Sequence, residues 1–297
     1  MSYSLTIKKR TSGFFGRFIK KTVTPDVLLQ RLQGMDVEIA DEDDLRKEIS
    51  DCTFFIPKAS TRGACVLDRG EAFEVVVNAC ASKEDYLLAF RLAAELSKLT
   101  NADVEDEYCE PIPLARFTSR FNESYAEDLK MHGFSSVVAI VKEHNTLTVP
   151  ACVRPVYIGP HVISQCNTSD ASALYNTLVS VIRKVQYIDD IARVPRLFSV
   201  TSEDEEAWTY IVIVDQCLQL LAKADFVIFA LADEETYKVR FGVVQEYANM
   251  HFERLDEEQY LFPDLPLEQI RTLALTLSQE LMQRQCQAPR KLTPWRH

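Results

Sequence analysis

Between Phe73 and Leu99 the chain places a strand, a cap and a helix in direct succession, and this unit constrains the fold more than any other stretch. Phe73–Ala79 is rich in β-branched residues and suits a buried strand. Ser82 and Asp85 stand at capping-box spacing, which fixes a helix start. Tyr86, Phe90, Ala93 and Leu96 then recur at helical spacing on one face. The shift that carries Ser82 onto Asp233 aligns Val76–Glu107 with Val227–Glu258 without a gap. It pairs Val76 with Val227, Tyr86 with Tyr237, Phe90 with Phe241, Glu95 with Glu246 and Glu107 with Glu258. A duplicated strand–cap–helix unit is therefore expected, with Tyr86/Tyr237 and Phe90/Phe241 in matching places.

The rest of the chain is read around that pair. Leu5 and Ile7 mark a first strand, and Thr24 with Pro25 opens a short helix through Leu32. Strands are predicted at Asp36–Ala40, Phe54–Ile56, Ala64–Leu67, Ser136–Lys142, Leu197–Val200 and Phe226–Leu231. Helices are predicted at Glu123–Met131, from a cap at Ser169 or Asp170 to Ile188, from Glu203 through Trp208 to Ala222, from Glu234 to Asn249 and from Pro266 to Gln285. Prolines at 150, 155 and 160 punctuate the middle and set an expected boundary. The expected architecture is α+β: two similar halves, 1–150 and 151–297, each a small sheet covered by helices.

Chemistry is sparse. The 297 residues include 8 cysteines, none in a CxxC pair, and 5 histidines, none in a metal-binding pair. The opening residues Met1–Arg10 have no apolar stretch of the secretory kind, so reduced thiols and a cytoplasmic location are expected. No phosphate loop, nucleophile elbow or dinucleotide fingerprint is present, and only 8 glycines are available to build one. Cys166 and His161 are sequence neighbours, which does not by itself make a catalytic couple. Asp215 interrupts the apolar run Tyr210–Leu221 and would need a partner if buried. No catalytic residue, cofactor or metal ligand is assigned on this reading. The leading alternative is an enzyme whose site lies between the halves.

Charge carries more. The net charge is −11, which argues against nucleic acid and anionic membranes and favours a basic partner. A basic segment with Gly13 and Gly16 at GxxG spacing lacks the surroundings of a KH domain. Acidic residues gather at Asp41, Glu42, Asp43 and Asp44, and at Glu105, Asp106, Glu107 and Glu110, where Tyr108 supplies an aromatic. These nine residues are the expected partner-binding set.

The segments Phe73-Glu-Val-Val-Val77 and Ala81-Ser-Lys-Glu-Asp-Tyr86, with the helix that follows, resemble a family of uncharacterised bacterial proteins of similar length, often encoded near polymorphic toxin genes. The resemblance implies an immunity protein, a non-enzymatic inhibitor that binds a toxin domain and occludes it. An oligomerising structural protein is a further alternative.

Overall fold

The structure is a computed structural model that describes residues 2–9, 23–40, 48–108, 110–131, 134–201, 207–231 and 235–287. The fold is α+β, and the chain divides into two compact units, Met1–Tyr187 and Ile188–His297. The division lies beyond the prolines at 150–160, because the helix after them keeps its bonds to the first unit. Among the described residues no helix is long and apolar enough to cross a membrane.

The first unit is built on a seven-stranded sheet in the order β2-β3-β4-β5-β1-β6-β7. Its strands are β1 (Ser2–Lys8), β2 (Glu38–Ile39), β3 (Asp51–Phe55), β4 (Ala64–Asp68), β5 (Ala72–Asn78), β6 (Val104–Glu105) and β7 (Pro111–Ile112). Each neighbouring pair is antiparallel. Burial alternates along β5, so Phe73, Val75 and Val77 enter the core while Glu74 and Val76 lie more open. Helix α1 (Pro25–Arg31) begins at Thr24, whose hydroxyl accepts from the Val27 N–H. The long helix α2 (Lys83–Thr100) lays Leu88, Leu92 and Leu96, all fully buried, over Leu5, Ile7, Val66, Val75 and Val77. Helices α3 (Leu114–Arg120) and α4 (Glu123–Leu129) add an aromatic cluster: Phe117 stacks on Phe121 at 4.3 Å, and Phe90 meets Phe121 edge-on at 5.3 Å. Helix α5 (Ser135–His144), the ribbon of β8 (Leu147–Val149) with β9 (Val156–Ile158), helix α6 (Pro160–Ser164) and helix α7 (Ala171–Gln186) complete the unit.

The second unit has a four-stranded sheet in the order β10-β11-β13-β14 and a three-stranded sheet in the order β12-β16-β15. The strands are β10 (Phe198–Thr201), β11 (Ala207–Val214), β12 (Gln219–Leu221), β13 (Phe226–Ala230), β14 (Thr236–Arg240), β15 (Glu253–Arg254) and β16 (Tyr260–Phe262). Strands β11 and β13 run parallel, and the other pairs of the larger sheet are antiparallel. Ile211, Ile213, Val227, Phe229 and Val239 form one buried face against helices α8 (Phe241–His251) and α9 (Leu267–Gln287), from which Val244, Ile270, Ala274 and Leu277 point inward.

Three expectations are corrected. The units do not repeat one another. Tyr86 is in the middle of a helical turn of α2, whereas Tyr237 is in strand β14, which forms a hairpin with β13. Phe90 is within α2, whereas Phe241 starts α8, and Asp233 lies outside the described residues. The flanking strands differ too: β5 has two antiparallel neighbours, while β13 has one parallel and one antiparallel. The stretch Trp208–Ala222, expected as a helix, is β11, a turn and β12. Buried Gln219 closes that turn, accepting from the Val214 N–H at 3.2 Å and donating to the Val214 carbonyl at 2.5 Å. Half-buried Asp215 sits in the same turn and interrupts no helix. Ser136–Lys142, expected as a strand, is helix α5: Val137 and Val141 are one helical turn apart and both buried.

Candidate functional site

The acidic residues divide by fold. Asp41, Glu42, Asp43 and Asp44 lie outside the described residues. Glu105 is in β6, and its carboxylate accepts from Lys8 Nζ at 2.7 Å. Asp106 is buried: Oδ1 accepts from the Tyr108 N–H at 3.0 Å, and Oδ2 faces Arg120 Nη2 at 3.4 Å. That bond to the residue two ahead is an Asx turn, which fixes the chain direction after β6. Arg120 also lies over the ring of Phe121, 5.3 Å from its centroid. Two of the expected acids thus serve the fold. The outward set is Glu107, Tyr108 and Glu110, with Tyr108 79% exposed. Among the described residues neither Glu107 nor Glu110 has an ion-pair partner. Burial, and next the Tyr125 hydroxyl, push the phenol of neighbouring Tyr3 far above its ordinary range.

A second concentration of polar groups lies at the start of α2. Asp85 is fully buried, and its carboxylate accepts from the N–H groups of Thr61, Arg62, Gly63 and Ser82 and from the Thr61 hydroxyl, at 2.8–3.1 Å. Ser82 caps the same helix in return. The turn 59–63 is also held from α7 and the residue that caps it: Arg183 Nε donates to the Ala59 carbonyl at 2.7 Å, and Tyr187 Oη donates to the Ser60 carbonyl at 3.0 Å. Gly63 is required here, since its φ is +68° and a Cβ would stand 2.4 Å from the Phe54 carbonyl oxygen. Arg62 turns inward, giving Nη1 to the Ala79 carbonyl at 3.0 Å, while its buried Nε has no hydrogen-bond partner among the described residues. Burial draws the Arg62 guanidinium below its ordinary value, against the opposing pull of Cys80, Asp85 and Cys152. Burial likewise pushes the Cys80 thiol up to about 11, which Arg62 partly offsets.

Above this turn opens a cleft of about 400 Å³, lined by Lys83, Glu84, Glu127, Lys130, Tyr175 and Arg183 among others. Its cations are already matched. Lys83 meets Glu123 at 2.6 Å, Arg183 meets Glu84 at 2.6 Å, and Lys130 pairs with Glu127. The Tyr175 hydroxyl accepts from the Lys83 N–H at 3.0 Å. Charges balanced this way form a polar seam between α2, α4 and α7. Among the described residues no group of three or more His, Cys, Asp or Glu side chains is placed to hold a metal ion.

A family model described as a domain of unknown function, DUF4299, matches residues 2–245. The chain belongs to that family. No curated protein and no solved structure matches it. The DUF4299 match takes in the acidic loop, the Asp85 turn, the cleft and the larger sheet of the second unit, and it ends within α8. Sequence spacing signalled one bond of the Asp85 site, the capping box. The four other donors come from a turn more than twenty residues upstream, which no local pattern connects to Ser82.

Proposed function

We propose that this DUF4299 protein is a non-enzymatic binding protein, and that the loop Glu107–Glu110 docks a basic protein partner. The observation that carries the reading is Tyr108, a large aromatic 79% exposed beside two outward carboxylates. An aromatic with a polar tip and low rotamer entropy suits an interface anchor. The buried Asp106 turn holds its backbone in place before any partner arrives, which lowers the ordering cost of binding. The most concrete form of the reading is a cytoplasmic immunity protein that occludes a toxin domain, as the resemblance implies. An enzyme reading rests on the cleft at α2, but its lysines and arginine are each held by a carboxylate, which favours a structural role there.

The test begins with a pull-down from the native host and proceeds to association kinetics with the captured partner. Replacing Glu107 and Glu110 together by lysine should slow association by about tenfold at low salt, and the difference should shrink as salt screens it. Tyr108→Ala should act on dissociation instead, weakening binding by about 2 kcal/mol. A partner whose association ignores salt, both charge reversals and Tyr108→Ala rules the loop out as the docking site.

A further inference from the structure

We infer that strand β10 is an association edge, and that its occupant is β10 of a second copy of this chain. Among the described residues β10 is the outer strand of its sheet, bonded to β11 on one side. An edge strand leaves alternate backbone groups free to pair with another chain, and folded proteins blunt such edges with charge, proline or extreme shortness. Three of the other described edges follow that rule. In the seven-stranded sheet, β2 and β7 are two residues long, and β7 begins with Pro111. At the far side of its own sheet, β14 bears Lys238 and Arg240 and packs against α9. β10 has none of these protections: Phe198-Ser-Val-Thr201 is uncharged and free of proline. Apolar side chains are also open at its start, with Leu197 57% and Phe198 40% exposed.

The side chains are already arranged in rows. Phe198 stacks on Tyr210 at 5.1 Å, Tyr210 touches Trp208 at 5.6 Å, and Trp208 meets Phe226 edge-on at 5.3 Å. Lys238 closes the row, 3.7 Å from the Trp208 centroid. The backbone at β10 is thereby held extended in advance.

Symmetry selects the pairing. Two like strands related by a dyad perpendicular to the sheet run antiparallel, and opposed residues must share a face. A dyad at Ser199 satisfies this over Leu197–Thr201. Phe198 then faces Val200 of the second copy and continues the aromatic row across the junction. Charge favours a second copy over an unrelated strand. Exposed Arg193 and Arg196 precede the strand and have no ion-pair partner among the described residues. Glu203, Asp204, Glu205 and Glu206 follow it in sequence order. Reversed against itself, this basic–strand–acidic order of the sequence is complementary in charge.

Sedimentation velocity on the full chain, over a range of concentration, is the test. A small interface of this kind should give a monomer–dimer equilibrium with a Kd on the order of 0.1 mM. Val200→Lys should weaken it at least about 100-fold, and Arg196→Glu, a surface change that leaves the strand intact, about tenfold. Oxidation of Ser199→Cys should yield a covalent dimer that the wild-type chain, carrying its native cysteines, does not form. A wild-type chain that stays monomeric near 1 mM overturns the inference. So does a dimer that survives Val200→Lys, or a Ser199→Cys variant that does not cross-link.

Discussion

The Asp85 carboxylate accepts five hydrogen bonds from four residues of the first unit. Asp85 is fully buried and satisfied by donors from Thr61, Arg62, Gly63 and Ser82. Asparagine is nearly the same size, but it replaces one acceptor with an NH₂ that would face N–H donors. Asp85→Asn should therefore cost about 3 kcal/mol, read as a lower midpoint in urea with an unchanged slope. Gly63→Ala should cost at least as much, because the added methyl meets the Phe54 carbonyl at 2.4 Å and φ is +68°. The thiols are muted for a related reason. Burial, joined at Cys65 by the nearby Asp51 carboxylate, pushes the Cys65 thiol up to about 12, and Cys80 stands at about 11. A raised pKa keeps the neutral thiol dominant, so the thiolate fraction at pH 8 is on the order of 0.1% or less. Alkylation followed by mass spectrometry should label Cys65 and Cys80 slowly in the native protein. Both rates should climb about tenfold per pH unit toward those values and jump on unfolding.

At the scale of elements, helix α2 is the keystone of the first core. Leu92 is fully buried in its centre, and Leu92→Ala should cost between about 2 and 5 kcal/mol in chemical denaturation, depending on how far the sheet collapses onto the gap. This helix was plain in the sequence, with its cap, its box and its apolar face, because every determinant is local. So were β1, α1, β5, α7, β10, β13 and α9. The failures share a cause. Trp208–Ala222 is apolar on most sides, and such a run fits a buried helix or a central strand equally well. The choice fell to β13, a parallel neighbour that pairs with β11 from beyond the intervening turn. The segment after Asp233 carries a cap and a helical pattern from Glu234, yet its first part pairs back as β14. The duplication failed with it, since similar residues at matching spacing met different neighbours. Of the expected interface, the exposure of Tyr108 was legible as a loop aromatic among acids. The inward turn of Asp106 was not, because Arg120 reaches it from α3.

For the whole molecule, the position of the division between units has a measurable outcome. Tyr175, Arg183 and Tyr187 tie the last part of the first unit to Lys83, Ala59 and Ser60. Gln186 likewise accepts from the Val153 N–H at 2.6 Å. A fragment ending at residue 187 should unfold in one cooperative thermal transition, followed by circular dichroism. A fragment ending at residue 150 lacks α7 and leaves the carbonyls of Ala59 and Ser60 without these donors. It should melt lower and less cooperatively, or fail to fold.

The hold of Arg183 on the Ala59 carbonyl has a further consequence, for chain synthesis. The two residues are 124 positions apart. At roughly 5–20 residues per second, the turn at Ala59 waits about 6–25 s after its own translation before this anchor exists. Once Asp85 has been made, the nascent sheet has that carboxylate in place and α7 still missing. Any holding factor that acts on this protein as it leaves the ribosome has its window there, and slowing translation between codons 85 and 183 would widen it.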